Sequence, residues 1–454
     1  MTAPLHIPAA ARAAEAAVVV KAATAAEATG PGAAEVPADL DHLLRPLFRA
    51  VGPGGGVAVA VIRGDERTVA CRGQSDRSGE RPVRADTRFE LGSVTKTFTG
   101  LLLAEMVARG EVRYDDPIDR YLPADATPGY PYERPITLLH LATHTSGLPR
   151  LPVGLLPAAA PRWFTRPYAT FGPAHLLRAL PRTPVRGTPG TQVRYSNLGC
   201  GLLGLLLANA AGQRYDDLLA ARVCGPLGLV DTSCGPGRED AAGYRRGRRV
   251  PSFRLPALPG AAALRSTADD MLRYLQAHLA LEAVPLPERA DAVALRTALG
   301  EVRRPRTGRR STGGTRICLG WNQRSLAGAT GEPEVEGEPD GEPDEDELVF
   351  HTGTTRGCAG CTTFVGFSPR AQVGLAVMAG TRTLRSRGFV QSAYETLRTL
   401  AADRLVPSEG GAGAGEGVEA GAGALCVGAS DAVPGTGTSG TGVPGALMAA
   451  ARER

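Results

Sequence analysis

Apolar residues recur along the chain at helical spacing or in short β-type runs, and this pattern predicts its first elements. Residues 39–48 have the apolar spacing of a helix. Apolar runs at 57–62 and 68–71, separated by a polar turn, are typical of a β-hairpin. A longer apolar run over 94–107, closed by a cation and a glycine, then indicates a buried helix.

The middle of the chain differs from its end. The middle favours helices, over residues 137–142, 173–180, 198–211, 215–223 and 267–278. Ser266 is the predicted N-cap of the last of these. Strands return at 348–350, 362–367 and 373–378, and an amphipathic helix follows at 390–405. This order predicts a mixed α/β (α+β) fold: one antiparallel sheet built from both chain ends, flanked by helices, with a mostly helical inserted lobe.

Composition sets the limits of the folded body. Residues 1–38 are Ala-rich and residues 406–454 are Gly- and Ala-rich, so both are predicted to be disordered tails. One domain is predicted over 39–405, with the acidic stretch 331–347 as a loop insertion. The first residues do not have the pattern of a signal peptide, and no apolar run is long enough to span a bilayer. We therefore expect a soluble, cytoplasmic protein.

Charge and cysteine content indicate neither a nucleic-acid partner nor a metal site. The formal net charge of +5 includes arginine clusters at 245–249 and 303–310, but no aromatic or motif context accompanies them. Nucleic acid is therefore not expected as a partner. Of the eight cysteines, Cys358 and Cys361 form a lone C-x-x-C pair without two further ligands at suitable spacing. We expect no metal and no cofactor.

Ser93 and Lys96 are the first candidates for chemistry. Residues three apart share a helix face, so the Lys96 ammonium is expected one turn above the Ser93 hydroxyl. A neighbouring base makes a serine hydroxyl nucleophilic, and a helix N-terminus offers N–H groups to an oxyanion. The Ser-x-x-Lys spacing is also common at ordinary helix starts, so it needs further support.

Two further motifs supply that support. Residues 195–197 (Tyr-Ser-Asn) precede a predicted helix, on a loop whose side chains can reach a cleft. Residues 351–353 (His-Thr-Gly) follow the predicted strand 348–350, and the glycine allows a ligand to approach the strand edge. Each triplet alone is typical of ordinary structure. Their order and spacing relative to Ser93 and Lys96 are far more specific.

This ordered set resembles the serine β-lactamase and penicillin-binding-protein superfamily, in particular class C β-lactamases, D-alanyl-D-alanine carboxypeptidases and family VIII-type esterases. The resemblance extends over residues 40–403 and includes further stretches at 86–96, 141–149, 226–232 and 264–271. It implies a β-lactamase/transpeptidase-like fold. It also implies a serine hydrolase that cleaves an amide or ester of a small-molecule or short-peptide acyl substrate through an acyl-enzyme.

The resemblance implies roles for single residues. Ser93 would be the acylated nucleophile, and Lys96 and Tyr195 would pass its proton to the leaving group. Asn197 would hold Lys96 and the amide of the acyl side chain. His144 is expected to be structural. The N–H groups of Ser93 and Thr354 would form the oxyanion hole. The other substrate-binding residues would be His351, Thr352, Gly353 and Arg356.

The substrate stays open between a D-Ala-D-Ala-like peptide, a β-lactam and a small ester. His351 stands where most β-lactamases have lysine, which weakens the fixed charge for a substrate carboxylate, although Arg356 could supply it. The alternatives are a carboxylesterase of the same fold and a catalytically silent ligand-binding protein. The presence of Ser93, Lys96 and Tyr195 argues against the silent protein.

Overall fold

The structure is a computed structural model of the 454-residue chain. It describes residues 37–405, apart from 52–54, 77–80, 130–133, 156–157, 159–167, 238, 246–247, 282–289, 308–313, 327–346, 356–359 and 381–385. The predicted tails, over 1–36 and from 406 onward, lie outside the described residues. So do residues 331–346 of the acidic insertion, Cys358 and Arg356.

The strands join the two ends of the chain in one sheet. In chain order they are β1 (Gly56–Arg63), β2 (Glu66–Arg72), β3 (Phe89–Glu90), β4 (Gly243–Arg245), β5 (Arg248–Val250), β6 (Arg265–Ser266), β7 (Arg316–Ile317), β8 (Asn322–Ser325), β9 (Glu347–Thr354), β10 (Thr362–Ser368) and β11 (Val373–Gly380). Within the described ranges, seven strands form an antiparallel sheet in the order β2-β1-β11-β10-β9-β8-β7. β1 pairs with β11, which places Val59 opposite Val377. The predicted antiparallel sheet is confirmed.

The helices lie on both faces of this sheet and in the middle of the chain. They are α1 (Ala38–Ala50), α2 (Thr95–Ala108), α3 (Leu138–Ala142), α4 (Pro173–Ala179), α5 (Asn197–Ala211), α6 (Tyr215–Leu219), α7 (Pro259–Ala262), α8 (Ala268–Leu279), α9 (Ala290–Glu301) and α10 (Ser386–Leu405). Most match a predicted helix. Two helices have no counterpart among the predicted ones: α7, which is only four residues long, and α9, whose many alanines give a weak apolar period.

Burial on both faces explains why β1 is a continuous apolar run. Its alternate residues Val57, Val59 and Val61 belong to a core cluster shared with α1 and α10. The intervening residues Ala58, Ala60 and Ile62 face the larger cluster formed with α2, α8 and the helical lobe. A strand covered on both faces needs no polar positions, unlike one that faces water on one side.

Helices α2 and α5 are buried around most of their circumference. All residues of α2 from Thr95 through Met106 are buried, and so are ten of the residues of α5. A helix that is apolar all round belongs in a core, so the first turn of α2 carries Lys96 into the protein interior. Among the described helices, none has both the length and the apolar character needed to cross a membrane.

The start of α8 differs from the prediction. Thr267, not Ser266, is the N-cap, and its hydroxyl accepts the Asp270 N–H. Ser266 lies in β6 opposite Phe89, and its hydroxyl bonds the Thr232 hydroxyl at 2.8 Å. Strand pairing therefore fixes Ser266 one residue before the N-cap. Two consecutive hydroxyl residues can both cap a helix, so the sequence alone could not choose between them.

Candidate active site

Ser93 and Lys96 lie one above the other at the start of α2. Ser93 belongs to the 3₁₀ turn Gly92–Val94, which continues directly into the helix. The Lys96 Nζ is 3.1 Å from the Ser93 Oγ, as the three-residue spacing predicts. The Ser93 side chain is partly exposed and Lys96 is only 1% exposed. The hydroxyl can therefore meet a ligand while the ammonium is shielded from water.

Two glycines bring the end of β9 against the Ser93 turn. Gly92 has a φ of +52°, and a Cβ there would lie 2.7 Å from the Thr354 nitrogen. A Cβ on Gly353 would lie 2.0 Å from the Leu91 carbonyl oxygen. That same oxygen accepts a hydrogen bond from the Thr363 hydroxyl at 2.8 Å. Only glycine fits at either position, so the strand edge and the Ser93 turn are in backbone contact.

The segment before Ser93 is fixed by buried charges. Arg88 donates to Asp240 at 3.1 Å, and Arg265 lies 3.4 Å from Glu90. Burial raises the pKa of the Glu90 carboxyl, against the opposing effect of the Arg265 charge. The Glu90 carboxylate also accepts the Phe253 N–H at 2.7 Å. These bonds hold β3 against β6 and thereby set the position at which the Ser93 turn begins.

The Lys96 ammonium has three oxygen acceptors. Besides Ser93 Oγ, these are the Asn197 Oδ1 at 2.9 Å and the Ala261 carbonyl oxygen at 2.8 Å. An ammonium has three N–H donors, so three acceptors hold it in one position. The contact with Asn197 agrees with the predicted role of that residue in holding Lys96. Ala261 could not be predicted from the sequence, because any residue type can supply a backbone carbonyl acceptor.

Tyr195 completes the cluster around Ser93. Its hydroxyl lies 2.6 Å from the Ser93 Oγ, a short hydroxyl contact. The Lys96 Nζ lies 4.9 Å from the centre of the Tyr195 ring. The Arg150 guanidinium carbon lies 5.5 Å from the same ring centre, and Arg150 is exposed. Arg150 is a second residue that the sequence analysis missed, since its only signal there is an arginine directly after the 141–149 motif.

The loop that carries Tyr195 is held by Ser196 and His144. The Ser196 hydroxyl caps α5 by accepting the Gly199 N–H at 2.8 Å, and it donates to the Pro149 carbonyl at 2.7 Å. The His144 Nδ1 accepts the Ser196 N–H at 3.2 Å, and its ring contacts the Tyr195 ring. Burial keeps the pKa of His144 well below its usual value. These contacts fit the structural interpretation of His144.

His351 lies within β9, because the strand runs on to Thr354 instead of ending at residue 350 as predicted. Its side chain is buried, and this burial, together with the Lys96 charge, lowers its pKa to about 3. The ring Nδ1 is 2.8 Å from the Thr352 carbonyl oxygen. A carbonyl only accepts, so Nδ1 carries the proton and Nε2 presents a lone pair. His351 is thus neutral and offers no positive charge to a substrate.

The register of β9 fixes the positions of the remaining predicted site residues that the structure describes. Gly353 pairs with Thr363, and Thr354 pairs with Thr362 at the end of the strand. Thr352 is partly buried and Thr354 is exposed. Arg356 lies outside the described residues. Nowhere in the described ranges do three His, Cys, Asp or Glu side chains converge as they would around a metal ion.

Fold and site together define a class. A helical lobe packed on an antiparallel sheet, with a Ser-Lys-Tyr cluster at the sheet edge, is consistent with the β-lactamase/transpeptidase fold. The chain belongs to the Beta-lactamase family, whose family profile matches residues 47–394. The resemblance drawn from the motifs is thereby confirmed.

Three curated relatives show the range of that family. The D-alanyl-D-alanine-carboxypeptidase/endopeptidase AmpH of Escherichia coli (strain K12) is 30% identical over 52% of this chain and 60% of its own length. A protein named Beta-lactamase from the same strain is 35% identical, over 49% of this chain and 56% of its own. Esterase EstB of Burkholderia gladioli is 31% identical, over 59% of this chain and 76% of its own. The chain thus spans about three fifths of the length of AmpH.

Proposed function

We propose that this protein is a serine hydrolase that cleaves an amide or an ester through an acyl-Ser93 intermediate. One observation carries the proposal: the Ser93 Oγ lies 2.6 Å from the Tyr195 hydroxyl and 3.1 Å from the Lys96 Nζ at the same time. A nucleophile needs a proton acceptor within hydrogen-bond reach, and here the Tyr195 oxygen and the Lys96 nitrogen are the two candidate acceptors.

The mechanism follows from these contacts. For the Ser93 Oγ to attack the acyl carbon, one member of the Tyr195–Lys96 pair must be in its deprotonated form, and it accepts the proton that leaves the hydroxyl. The same pair then gives that proton to the leaving group as the bond between it and the acyl carbon breaks. Water then attacks the acyl-enzyme, with the proton travelling the same way. The N–H groups of Ser93 and Thr354 stabilise the oxyanion, which is supported by the contact of Gly92 with the Thr354 backbone.

Asn197 serves the acyl side of the substrate. Its Oδ1 accepts from Lys96 at 2.9 Å, so its amide Nδ2 is the group that donates to a carbonyl of the acyl side chain. Its place as the first residue of α5, directly after the Ser196 cap, keeps this amide beside Ser93. Thr352 and Gly353 form the strand edge along which that side chain lies.

A small ester is the second candidate substrate class, and His351 favours it. Its neutral, buried ring supplies no cation at the position where most β-lactamases have a lysine for the carboxylate, whereas a neutral ester needs none there. The relatives carry names of all three kinds: carboxypeptidase, β-lactamase and esterase. Kinetics must therefore rank the three substrates.

The experiment compares wild type with Ser93→Ala on three substrates. These are a chromogenic cephalosporin, p-nitrophenyl butyrate and a peptide ending in D-Ala-D-Ala. Wild type is expected to hydrolyse at least one of them, and Ser93→Ala none above the rate of buffer. Equal rates for the two proteins, or no turnover of any substrate by wild type, would overturn the proposal.

A further inference from the structure

A positive charge stands on the outer side of the candidate site and takes no part in the mechanism above. Arg150 is exposed, and its guanidinium lies over the Tyr195 ring at 5.5 Å. Within the described part of the chain no carboxylate pairs with this guanidinium, which contacts the Tyr195 ring. The backbone carbonyl of Arg150 accepts the Leu198 N–H at 3.1 Å.

The position of Arg150 is set by the loop that positions Tyr195. The Leu198 N–H donates to the Arg150 carbonyl, and the Ser196 hydroxyl donates to the neighbouring Pro149 carbonyl at 2.7 Å. Ser196 and Leu198 flank Asn197 at the start of α5. The backbone of Arg150 is therefore fixed next to the loop that carries Tyr195.

Within the described residues, Lys96 and His351 also lie at the site, but neither is suited to bind a carboxylate. Lys96 is 1% exposed, and its ammonium is engaged by three protein oxygens. His351 is neutral, and a carboxylate facing its Nε2 would meet a lone pair. An exposed guanidinium, by contrast, matches the two oxygens of a carboxylate with parallel N–H donors.

We propose that Arg150 is the substrate-binding residue that recognises a carboxylate on the leaving group. The inference rests on the proposed function, in which Tyr195 returns the proton to the leaving group. A cation beside the Tyr195 ring is therefore placed to meet the leaving group. The substrate class this defines is an acyl compound whose leaving group carries a carboxylate, such as a C-terminal amino acid or a hydroxy acid.

The test uses two esters that share one acyl group, phenylacetylglycyl, and differ in the charge of the leaving group. One releases 3-hydroxybenzoate and the other 3-hydroxybenzamide. The value of kcat/KM for each is measured with wild type, Arg150→Met, Arg150→Lys, Arg356→Met and Arg398→Met. Arg398 is an exposed arginine on α10, which covers the opposite face of the sheet, and serves as the matched control.

Wild type is expected to prefer the benzoate ester. Arg150→Met should lower the benzoate-to-benzamide ratio of kcat/KM by about 10- to 100-fold, mainly through KM, and Arg150→Lys should restore part of it. Raising the ionic strength should lower the wild-type ratio, because the pair is exposed. Arg398→Met should keep both values.

Other outcomes would overturn the inference. If Arg150→Met slows both esters equally, Arg150 supports Tyr195 and does not bind the carboxylate. If Arg356→Met removes the preference while Arg150→Met keeps it, the charge predicted from the sequence at Arg356 is the anchor instead. If wild type forms no acyl-enzyme with either ester, the proposed function fails together with the inference. If wild type is acylated and only the Arg150 results differ from those expected, the inference alone fails.

Discussion

The Lys96 Nζ lies 2.8 Å from the carbonyl oxygen of Ala261, so a buried cation is held by the backbone of a different helix. Ala261 is part of α7, a helix of four residues that packs against α5. The packing is close because α5 has glycines, Gly201 and Gly204, at the positions that face Leu258 and Gly260. The position of the ammonium beside Ser93 thus depends on a helix contact that involves no catalytic side chain.

Gly201→Ala tests this dependence. A Cβ at Gly201 would lie 2.4 Å from the Leu258 Cβ, so α7 must move and the Ala261 carbonyl with it. We expect overpacking to cost about 1–3 kcal/mol of unfolding free energy and acylation to slow by about tenfold or more. Thermal unfolding and the acylation rate are measured together. Gly300→Ala in α9, where nothing lies within 4 Å, is the control and should keep or raise stability. A Gly201→Ala enzyme with wild-type acylation would refute the dependence.

Tyr195→Phe removes only the hydroxyl that contacts Ser93. The ring keeps its contacts with His144, Lys96 and Arg150, so folding should be unaffected. We expect acylation to slow by about 10²- to 10⁴-fold, the usual contribution of a proton-transfer group. Single-turnover kinetics with an activated ester gives the rate.

Tyr274→Phe is the matched control for that variant. The buried Tyr274 hydroxyl donates to Thr97 at 3.1 Å, one residue along α2 from Lys96. Its loss should lower stability by about 1 kcal/mol and leave the acylation rate unchanged. If the two tyrosine variants slow acylation equally, the assignment of Tyr195 to proton transfer is wrong.

Lys96→Met should slow acylation strongly and leave the protein folded. Methionine has a similar length and needs no hydrogen-bond acceptors, although the Asn197 amide oxygen and the Ala261 carbonyl then lose their donor. We expect the acylation rate to fall by at least about 10³-fold, while circular dichroism still reports the native fold. Acylation within about tenfold of wild type would show that Tyr195 suffices without Lys96.

Buried histidines make stability depend on pH. Burial lowers the pKa of His278 to about 3 and that of His140 to about 4, whereas an unfolded histidine titrates near 6.5. Above pH 6.5 these histidines are neutral in both the folded and the unfolded chain, and their contribution to the free energy of unfolding is fully present. It is lost as the pH falls from 6.5 towards these lower values, because the unfolded chain binds protons that the folded one does not.

His278→Phe isolates one such group. The ring lies among Tyr274, Trp321 and Phe367, and within the described residues neither of its nitrogens has a hydrogen-bond partner. The unfolding free energy of the variant should therefore fall less steeply between pH 6 and 4.5, by about 1.4 kcal/mol per pH unit relative to wild type. Denaturant unfolding at several pH values measures this slope. Identical slopes would mean that His278 is protonated in the folded state.

Local patterns were enough to predict the sheet, most helices and the pairing of Ser93 with Lys96. Ser93 and Lys96 meet because residues three apart on a helix always do, and the chain-end strands pair because both are apolar throughout. The family resemblance brought Tyr195 to Ser93, which spacing alone cannot do across 102 positions. Here the sequence and the fold agree.

Contacts that depend on backbone atoms or on tertiary packing could not be predicted. The Ala261 carbonyl has no side-chain signal, and the charged group of Arg88, Asp240, Glu90 and Arg265 joins segments far apart in the chain. The neutral form of His351 arises from burial and from a bond to its neighbour's carbonyl. Predicting these features requires the three-dimensional positions of the residues, which the local spacing of apolar residues does not give.

Intact-protein mass after incubation with an activated fluorophosphonate and with a fluorescent penicillin tests the central claim most directly. Wild type should gain one adduct with at least one reagent, and peptide mapping should place it on Ser93. Ser93→Ala should gain none, while Ser146→Ala, at a buried serine of the helical lobe, should label like wild type. Labelling of Ser93→Ala to the wild-type extent, or an adduct mapped to another residue, would contradict the account.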